Sequence, residues 1–396
     1  MPSVHLNERS RSIMAISSAK LVKKHSTKKL MHLENLSLVN FKNYDSLDIS
    51  FSQDINCFVG YNGSGKTNLL DAIHYLSMTK SAFNSVDQQI IRHNQDFFVV
   101  RGAFIMGDER TNIHCSLKIG QKKTIKKNKK EYGKISEHIG LFPSVMIAPY
   151  DTDLIREGSE TRRKFFDSII SQINQAYLQK LIQYNHILKQ RNSLLKQFAE
   201  RRYFDQDLLS SYNAPLIELG SYIFEERRVF LAQFEPVFLE HFKFISSGKE
   251  LPSLIFRSAL FEEDMEKLFR GSLKKDLLLQ RTTTGIHKDD FEFEIDGIPV
   301  KKFGSQGQQK SFVIALKLAQ FDMIKRTKGF KPLLLLDDIF DKLDELRIQK
   351  LMTMVAGNSF GQIFVTDARS ERTETMFKNI GTDVKIFHIE DGQAST

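Results

Sequence analysis

The chain has 396 residues, 41% of them apolar and 27% charged, with a formal net charge of +9. Such a length allows two or three domains with a buried core, and no apolar run approaches the ~20 residues of a membrane-spanning helix, so a cytoplasmic protein without a membrane partner is expected. The positive surplus favours polyanionic partners, nucleic acid before anionic membrane. Cys57 and Cys115 form no CxxC pair, which argues against zinc and suits a reducing compartment; each lies in a strand-like stretch and reads as a small buried apolar residue.

Residues 1–30 are rich in Ser and Lys and lack an apolar core of signal-peptide length. They read as a disordered basic tail or as a start placed too far upstream, because Met31 directly precedes the first patterned strand. Strands are expected at 33–44, at Leu47–Phe51 and at Ile55–Val59, the last running into a glycine-rich turn. Leu69, Leu70, Ile73 and Leu76 then recur at helical spacing. Residues 97–119 alternate like antiparallel strands, and seven lysines between 122 and 134 follow, with Asn128 placed for a hairpin turn. That cluster has two readings: a solvated loop, or a contact to DNA phosphates.

From about Thr161 the pattern is long-helical. Tyr177, Leu181, Tyr184, Leu188, Leu195 and Phe198 make one stripe, broken by Arg191; Leu216, Leu219, Ile223, Phe230, Phe234 and Val237 make a second. Both read as helix-on-helix core. Strands return at Phe291–Ile295, Leu333–Leu336, Ile363–Val365 and about 384–389, with a helix from near Ser305 through Leu318. Continuous apolar strands between helices indicate a parallel sheet covered on both faces. The expected fold is therefore an α/β head formed by 31–148 and 284–396, with a mainly helical arm, 149–283, inserted between its halves.

Gly60-Tyr61-Asn62-Gly63-Ser64-Gly65-Lys66-Thr67 fits the P-loop pattern GxxxxGK[ST] between a strand and a helix. Its backbone amides and the helix N-terminus would cradle the phosphates of ATP, Lys66 would reach the β- and γ-phosphates, and Thr67 would hold Mg²⁺. The apolar strand Leu333–Leu336 ends in Asp337, expected as a second Mg²⁺ ligand, and Asp338, expected to orient or deprotonate the attacking water. Gly304-Ser305-Gln306-Gly307-Gln308-Gln309 opens a helix and resembles the signature sequence of ABC-type ATPases. Ser305, Gly307 and Gln308 would then complete the ATP site of an opposite subunit; an ordinary Ser helix cap is the plainer reading. Asp341-Lys342-Leu343-Asp344 resembles the D-loop of that class, and Asp367 stands where transporters of the class carry a switch histidine. His287 could ligate a metal in principle, but no second ligand lies at metal spacing, so a polar residue near the nucleotide site or interface is expected.

Four further stretches resemble the RecF family from Met31 onward. They are Val39-Asn40-Phe41-Lys42-Asn43-Tyr44, the run Thr67–Ile73, the region Pro149–Asp167 with Arg162-Arg163-Lys164-Phe165-Phe166-Asp167, and Thr284-Gly285-Ile286-His287-Lys288-Asp289-Asp290. The resemblance implies that Lys42, Asn43 and Asn68 join the nucleotide ligands. It also implies an ATP-dependent homodimer with weak ATPase activity that binds duplex DNA, gapped DNA and single-strand/duplex junctions, and that works with RecO and RecR to load RecA. Competing readings are the nucleotide-binding subunit of a membrane transporter, another DNA ATPase of the SMC type, or an ATPase of the overcoming-lysogenization type, which needs an acid-rich nuclease domain after the head.

Overall fold

The computed structural model describes residues 30–246, 248, 250–340, 343–377 and 383–396. The basic extension before Leu30, and Asp341 and Lys342, lie outside them. In chain order the head opens with β1 (Met31–Phe41), β2 (Tyr44–Ser50) and β3 (Ile55–Val59), passes through the glycine loop into α1 (Lys66–Met78), and continues with β4 (Phe97–Met106), β5 (Glu109–Lys118), β6 (Thr124–Lys127), β7 (Lys130–Glu131) and β8 (Ser144–Ile147). Then come α2 (Ser159–Ile173), α3 (Gln175–Arg201), α4 (Gln206–Ser246), β9 (Pro252–Arg257), α5 (Met265–Leu279), β10 (Asp290–Ile295) and β11 (Ile298–Pro299). The chain closes with α6 (Gln306–Lys328), β12 (Leu333–Leu336), α7 (Glu345–Ala356), β13 (Ile363–Asp367), α8 (Ser370–Phe377), β14 (Val384–Glu390) and β15 (Gln393–Ser395).

Every residue of β3, β8, β12 and β13 is buried. That is the composition a parallel strand needs when both sheet faces are covered, and these strands form one sheet of order β15-β14-β3-β13-β12-β8. Alternate residues serve opposite faces. Ile55, Cys57, Leu334, Leu336, Ile363 and Val365 join the core shared with the arm. Phe58, Leu333, Leu335 and Phe364 join a second core under α1 and an antiparallel sheet of order β2-β1-β4-β5-β6-β7. Cys57 and Cys115 are buried free thiols, as their strand setting implies.

The second helical stripe is buried throughout: Leu216, Leu219, Ile223, Phe230, Phe234 and Val237 line the inner face of α4, whose 41 residues include Pro215 and Pro236. Phe166 on α2 packs against Phe291 on β10 with ring centroids 4.2 Å apart, one of the aromatic contacts worth about 0.5–1.5 kcal/mol beyond area burial. Two expectations need revision here. The strand at 291–295 does not enter the head sheet; β10 pairs antiparallel with β9, so the expected boundary at 284 separates two strands of one small sheet, β11-β10-β9. Arg191, expected to break the first stripe, does not break its burial. It is fully buried, with Nη1 2.8 Å from Asp276 Oδ2 and 2.7 Å from Thr282 Oγ1, and Nε donating to Asn213 Oδ1 at 2.7 Å. Periodicity alone counts an arginine as polar and cannot see a carboxylate 85 residues away.

Candidate nucleotide site

The loop after β3 turns through three glycines with positive φ: Gly60 (151°), Gly63 (87°) and Gly65 (113°). A Cβ at Gly60 would run into the carbonyl oxygen of Ile389, and one at Gly65 into the amide of Asn43, so the loop needs glycine at both places. Tyr44 Oη donates to Gly65 O at 3.0 Å and Asn43 Nδ2 to Ser64 O at 3.2 Å, while Asn43 Oδ1 accepts from Asn68 Nδ2 at 2.7 Å. The β1–β2 turn thus buttresses the loop from outside. Lys66 Nζ donates to the carbonyls of Gly60 (2.7 Å) and Tyr61 (2.8 Å), and burial pushes its ammonium below the usual lysine range. Ser64 Oγ is buried with no hydrogen-bond partner among the described residues. Asn62 and Gly63 are exposed, and Tyr61 stands 84% exposed on the rim.

Opposite the loop, Thr67 Oγ1 donates to Asp337 Oδ1 at 2.8 Å, and Thr366 Oγ1 donates to the same oxygen at 2.9 Å. Thr366 Oγ1 also accepts from the Asp338 amide at 2.8 Å. One hydroxyl therefore ties the ends of β12 and β13 together and holds the Asp337 carboxyl beside the head of α1. Burial, reinforced by Asp338, raises the Asp337 carboxyl above the usual carboxylate range, while the two hydroxyls and Lys66 oppose that rise. Asp338 follows with φ 45°, a left-handed conformation that aspartate tolerates better than most residues. Tyr150 lies near enough to both acids for their charge to add to burial in raising its hydroxyl. A P-loop hydroxyl, a carboxyl oxygen, an orphaned serine hydroxyl and a buried ammonium form a donor set that fits a triphosphate with a divalent cation.

The structure brings Gly60–Asn68, Asn43, Asp337 and Asp338 to one site. Lys42 is held elsewhere: its ammonium is 2.6 Å from Asp71 Oδ2 in a pair whose side chains are 12% and 0% exposed, so contact with a nucleotide would leave Asp71 buried without its cation. Ser305, Gly307 and Gln308 form a separate unit at the start of α6. Ser305 Oγ accepts from the Gln308 amide at 3.2 Å and Gln308 Oε1 from the Ser305 amide at 2.7 Å, a reciprocal cap. Gln308 Nε2 donates to Glu250, and Gly307 O accepts from Arg347, whose partner Asp344 caps α7. Asp367 gives its carboxylate to Arg372, to the Arg369 amide and to Thr373 Oγ1. These bonds anchor α8. His287 also lies away from the site, with Nδ1 3.0 Å from Tyr184 Oη on α3 and Nε2 3.2 Å from Thr282 O. Among the described residues no cluster of three or more His, Cys, Asp or Glu could hold a metal ion. Thr366, Tyr44 and Arg347 carry structure that the motifs did not assign; Tyr44 stands inside a motif stretch and Thr366 beside Asp367, which was their only signal.

A family model described as the RecF/RecN/SMC N-terminal domain matches residues 32–393. Over 359 residues the chain is 52% identical to the DNA replication and repair protein RecF of Flavobacterium johnsoniae, covering 91% of this chain and 100% of that protein. The RecF protein of Cytophaga hutchinsonii is 47% identical over 363 residues, 92% of this chain and 96% of its own.

The chain belongs to the RecF family. Its members are DNA replication and repair proteins, and membership sets aside the transporter-subunit and overcoming-lysogenization readings. A solved structure of the recombination mediator protein RecF with ATP, in the RecFOR pathway, matches with a TM-score of 0.84 at 29% identity over 94% of this chain and 99% of that one. The Smc head domain of Pyrococcus furiosus matches with a TM-score of 0.53 at 19% identity, which shows the shared head fold alone. No helix among the described residues is long and apolar enough to cross a membrane.

Proposed function

We propose that the chain is an ATP-gated DNA-binding homodimer of low ATPase rate, working in the cytoplasm as a recombination mediator. The observation that carries this reading is the cluster in which Thr67, Asp337 and Thr366 join the P-loop helix to the ends of β12 and β13. ATP would lie along Gly60–Thr67, with Lys66 leaving its loop carbonyls for the phosphates. Thr67 and Asp337 would hold Mg²⁺, which neutralises charge on the β- and γ-phosphates when bound. Asp338 would orient the attacking water and accept its proton. The head (31–148 and 284–396) and the arm (149–283) would be the working units, joined through the β9–β10 pair.

The signature segment supports the dimer. The hydrogen bonds of Ser305, Gly307 and Gln308 run to one another, to Glu250 and to Arg347, which leaves the start of α6 for a phosphate supplied by a second copy. Two chains related by a twofold axis would then enclose two ATP molecules, and hydrolysis would release the dimer. The names borne by its relatives support DNA as ligand, and the RecFOR pathway of the matched structures supports RecO and RecR as partners; duplex or gapped DNA and single-strand/duplex junctions as the DNA form, and RecA as the protein loaded, complete the proposal. Sedimentation velocity of Ser305→Arg tests the reading. ATP binding by the monomer should persist while ATP-dependent dimerisation is lost; a Ser305→Arg chain that dimerises normally with ATP refutes the two-ATP arrangement.

A further inference from the structure

Strand register places one residue from each of six strands on a single row across the antiparallel sheet: Asp48, Ser37, Arg101, His114, Lys126 and Glu131. Side chains on paired positions share a face. Their chain neighbours Leu36, Leu38, Val100, Ile113, Cys115 and Ile125 are buried on the opposite face, so the row faces away from the core. From Asp48 to Lys126 it floors a trough of about 580 Å³ that also takes in Asn35, Asn112 and Lys129. Acids stand only at the two ends of the row, and the middle is cationic. The seven lysines of 122–134 are therefore not one surface. Lys123 turns inward, donating to Thr79 O at 2.6 Å and pairing with Asp87, whereas Lys126 and Lys129 line the trough.

His114 organises this middle. Arg101 Nε donates to His114 Nδ1 at 3.2 Å, and His114 Nε2 meets Ser116 Oγ at 3.2 Å. Burial, then Arg101 and Lys126, push the imidazole below its ordinary value, which keeps it neutral and able to accept from arginine. The guanidinium is thereby oriented through one nitrogen, with its two terminal nitrogens available to a ligand. Strands lie about 4.8 Å apart, so Arg101 and Lys126, two strands apart, are separated by about 10 Å, the axial rise of roughly three nucleotides in one strand of a duplex. Asn112 lies on the strand between the two cations, and Asn35 and Ser37 lie on the strand beyond Arg101, amides and a hydroxyl that can bond phosphate or sugar oxygens.

We infer that this outward face is a track for the phosphate backbone of duplex DNA, with Arg101, Lys126 and Lys129 as its cations. The inference rests on the DNA-binding reading above and gives it a location. It is tested by fluorescence anisotropy of a labelled duplex with ATP across a salt series, comparing the full-length chain with its Arg101→Ala/Lys126→Ala/Lys129→Ala variant and with Asp48→Lys. Each phosphate contact contributes about 0.9 to the log–log slope of affinity against salt, so the triple variant should be shallower by about two to three units and Asp48→Lys steeper by about one. Nucleotide binding by the variants checks their fold. If the triple variant does not fold, Asp48→Lys decides alone: a steeper slope supports the track and an unchanged one overturns it. A wild-type chain that binds duplex while the triple variant keeps the wild-type slope overturns the track and gives the face to an acidic protein surface. A wild-type chain that binds no duplex overturns both the track and the DNA-binding reading.

Discussion

Lys66 and Arg191 are both buried cations, and their partners differ in kind. Lys66 bonds two backbone carbonyls, and the acid nearest the P-loop, Asp337, is held by two hydroxyls. Arg191 is matched with Asp276, and Arg227, also buried, spans Asp167 (2.9 Å) and Asp289 (2.8 Å). At the P-loop, buried charges rest on neutral groups that a ligand of opposite charge can outcompete, although Lys42 and Asp71 nearby form a buried ion pair. In the arm the buried charges are closed into ion pairs that no ligand could enter without leaving a carboxylate stranded in low dielectric. The first arrangement is suited to binding and release, and the second to holding α2, α3, α4 and the 284–290 segment in fixed relation.

Four substitutions or conditions sharpen that contrast. The largest effect is expected from Asp338→Asn, which should bind ATP but hydrolyse it about 10²–10⁴-fold more slowly; turnover at the wild-type rate in a phosphate-release assay would remove Asp338 from the water. Next is Arg191→Leu. Stranding Asp276 should cost about 3–5 kcal/mol in urea unfolding, and Arg191→Leu/Asp276→Leu should regain most of it. A double variant as unstable as the single one would mean that the arm needs the charges themselves. Lys66→Ala removes charge-assisted bonds worth about 1.5–3 kcal/mol each and should weaken ATP about a hundredfold, with little change in stability, since carbonyls and not acids lose a partner. Near-normal nucleotide affinity by fluorescence titration would count against the assignment.

The smallest effect comes from buried imidazoles. Burial lowers His138 and His287 from 6.5 to about 4. Each binds its proton more weakly folded than unfolded, so stability is complete above about pH 6.5 and is lost as pH falls toward 4. At pH 5 each should have lost about 2 kcal/mol. Replacing His287 by Asn should flatten that part of the pH profile of urea unfolding; an unaltered profile would show that His287 is not a source of acid sensitivity.

The same contrast explains what could be read from the sequence. The P-loop and the Walker-type acids were legible because each is a contiguous string whose spacing is fixed by a strand, a turn and a helix start. Both helical stripes were legible as core for a similar reason. What escaped depends on partners distant in the chain. Lys42 looks like a ligand until Asp71 is placed beside it, Arg191 looks like a break until Asp276 arrives, and the 122–134 lysines look uniform until strand register divides them between two faces. Asp367 could be seen to differ from a switch histidine, but its bonds to Arg372 and Thr373 were not visible. The strand at 291–295 was legible from its pattern, while its attachment to β9 instead of the head sheet lay in pairing, which a single sequence does not encode locally.

The position of β3 also bears on how the molecule is made. The strand that launches the P-loop is flanked by β13 and β14, which leave the ribosome some 300 residues later, a delay of about 15–60 s at typical elongation rates. Throughout that interval a largely apolar strand has neither of its parallel neighbours, and the glycine loop has no Asp337 or Ile389 to lean on. The nucleotide site as described is therefore assembled only after β12, β13 and β14 have been made, and the head before that point, with β3 uncovered, is the stage most in need of a chaperone.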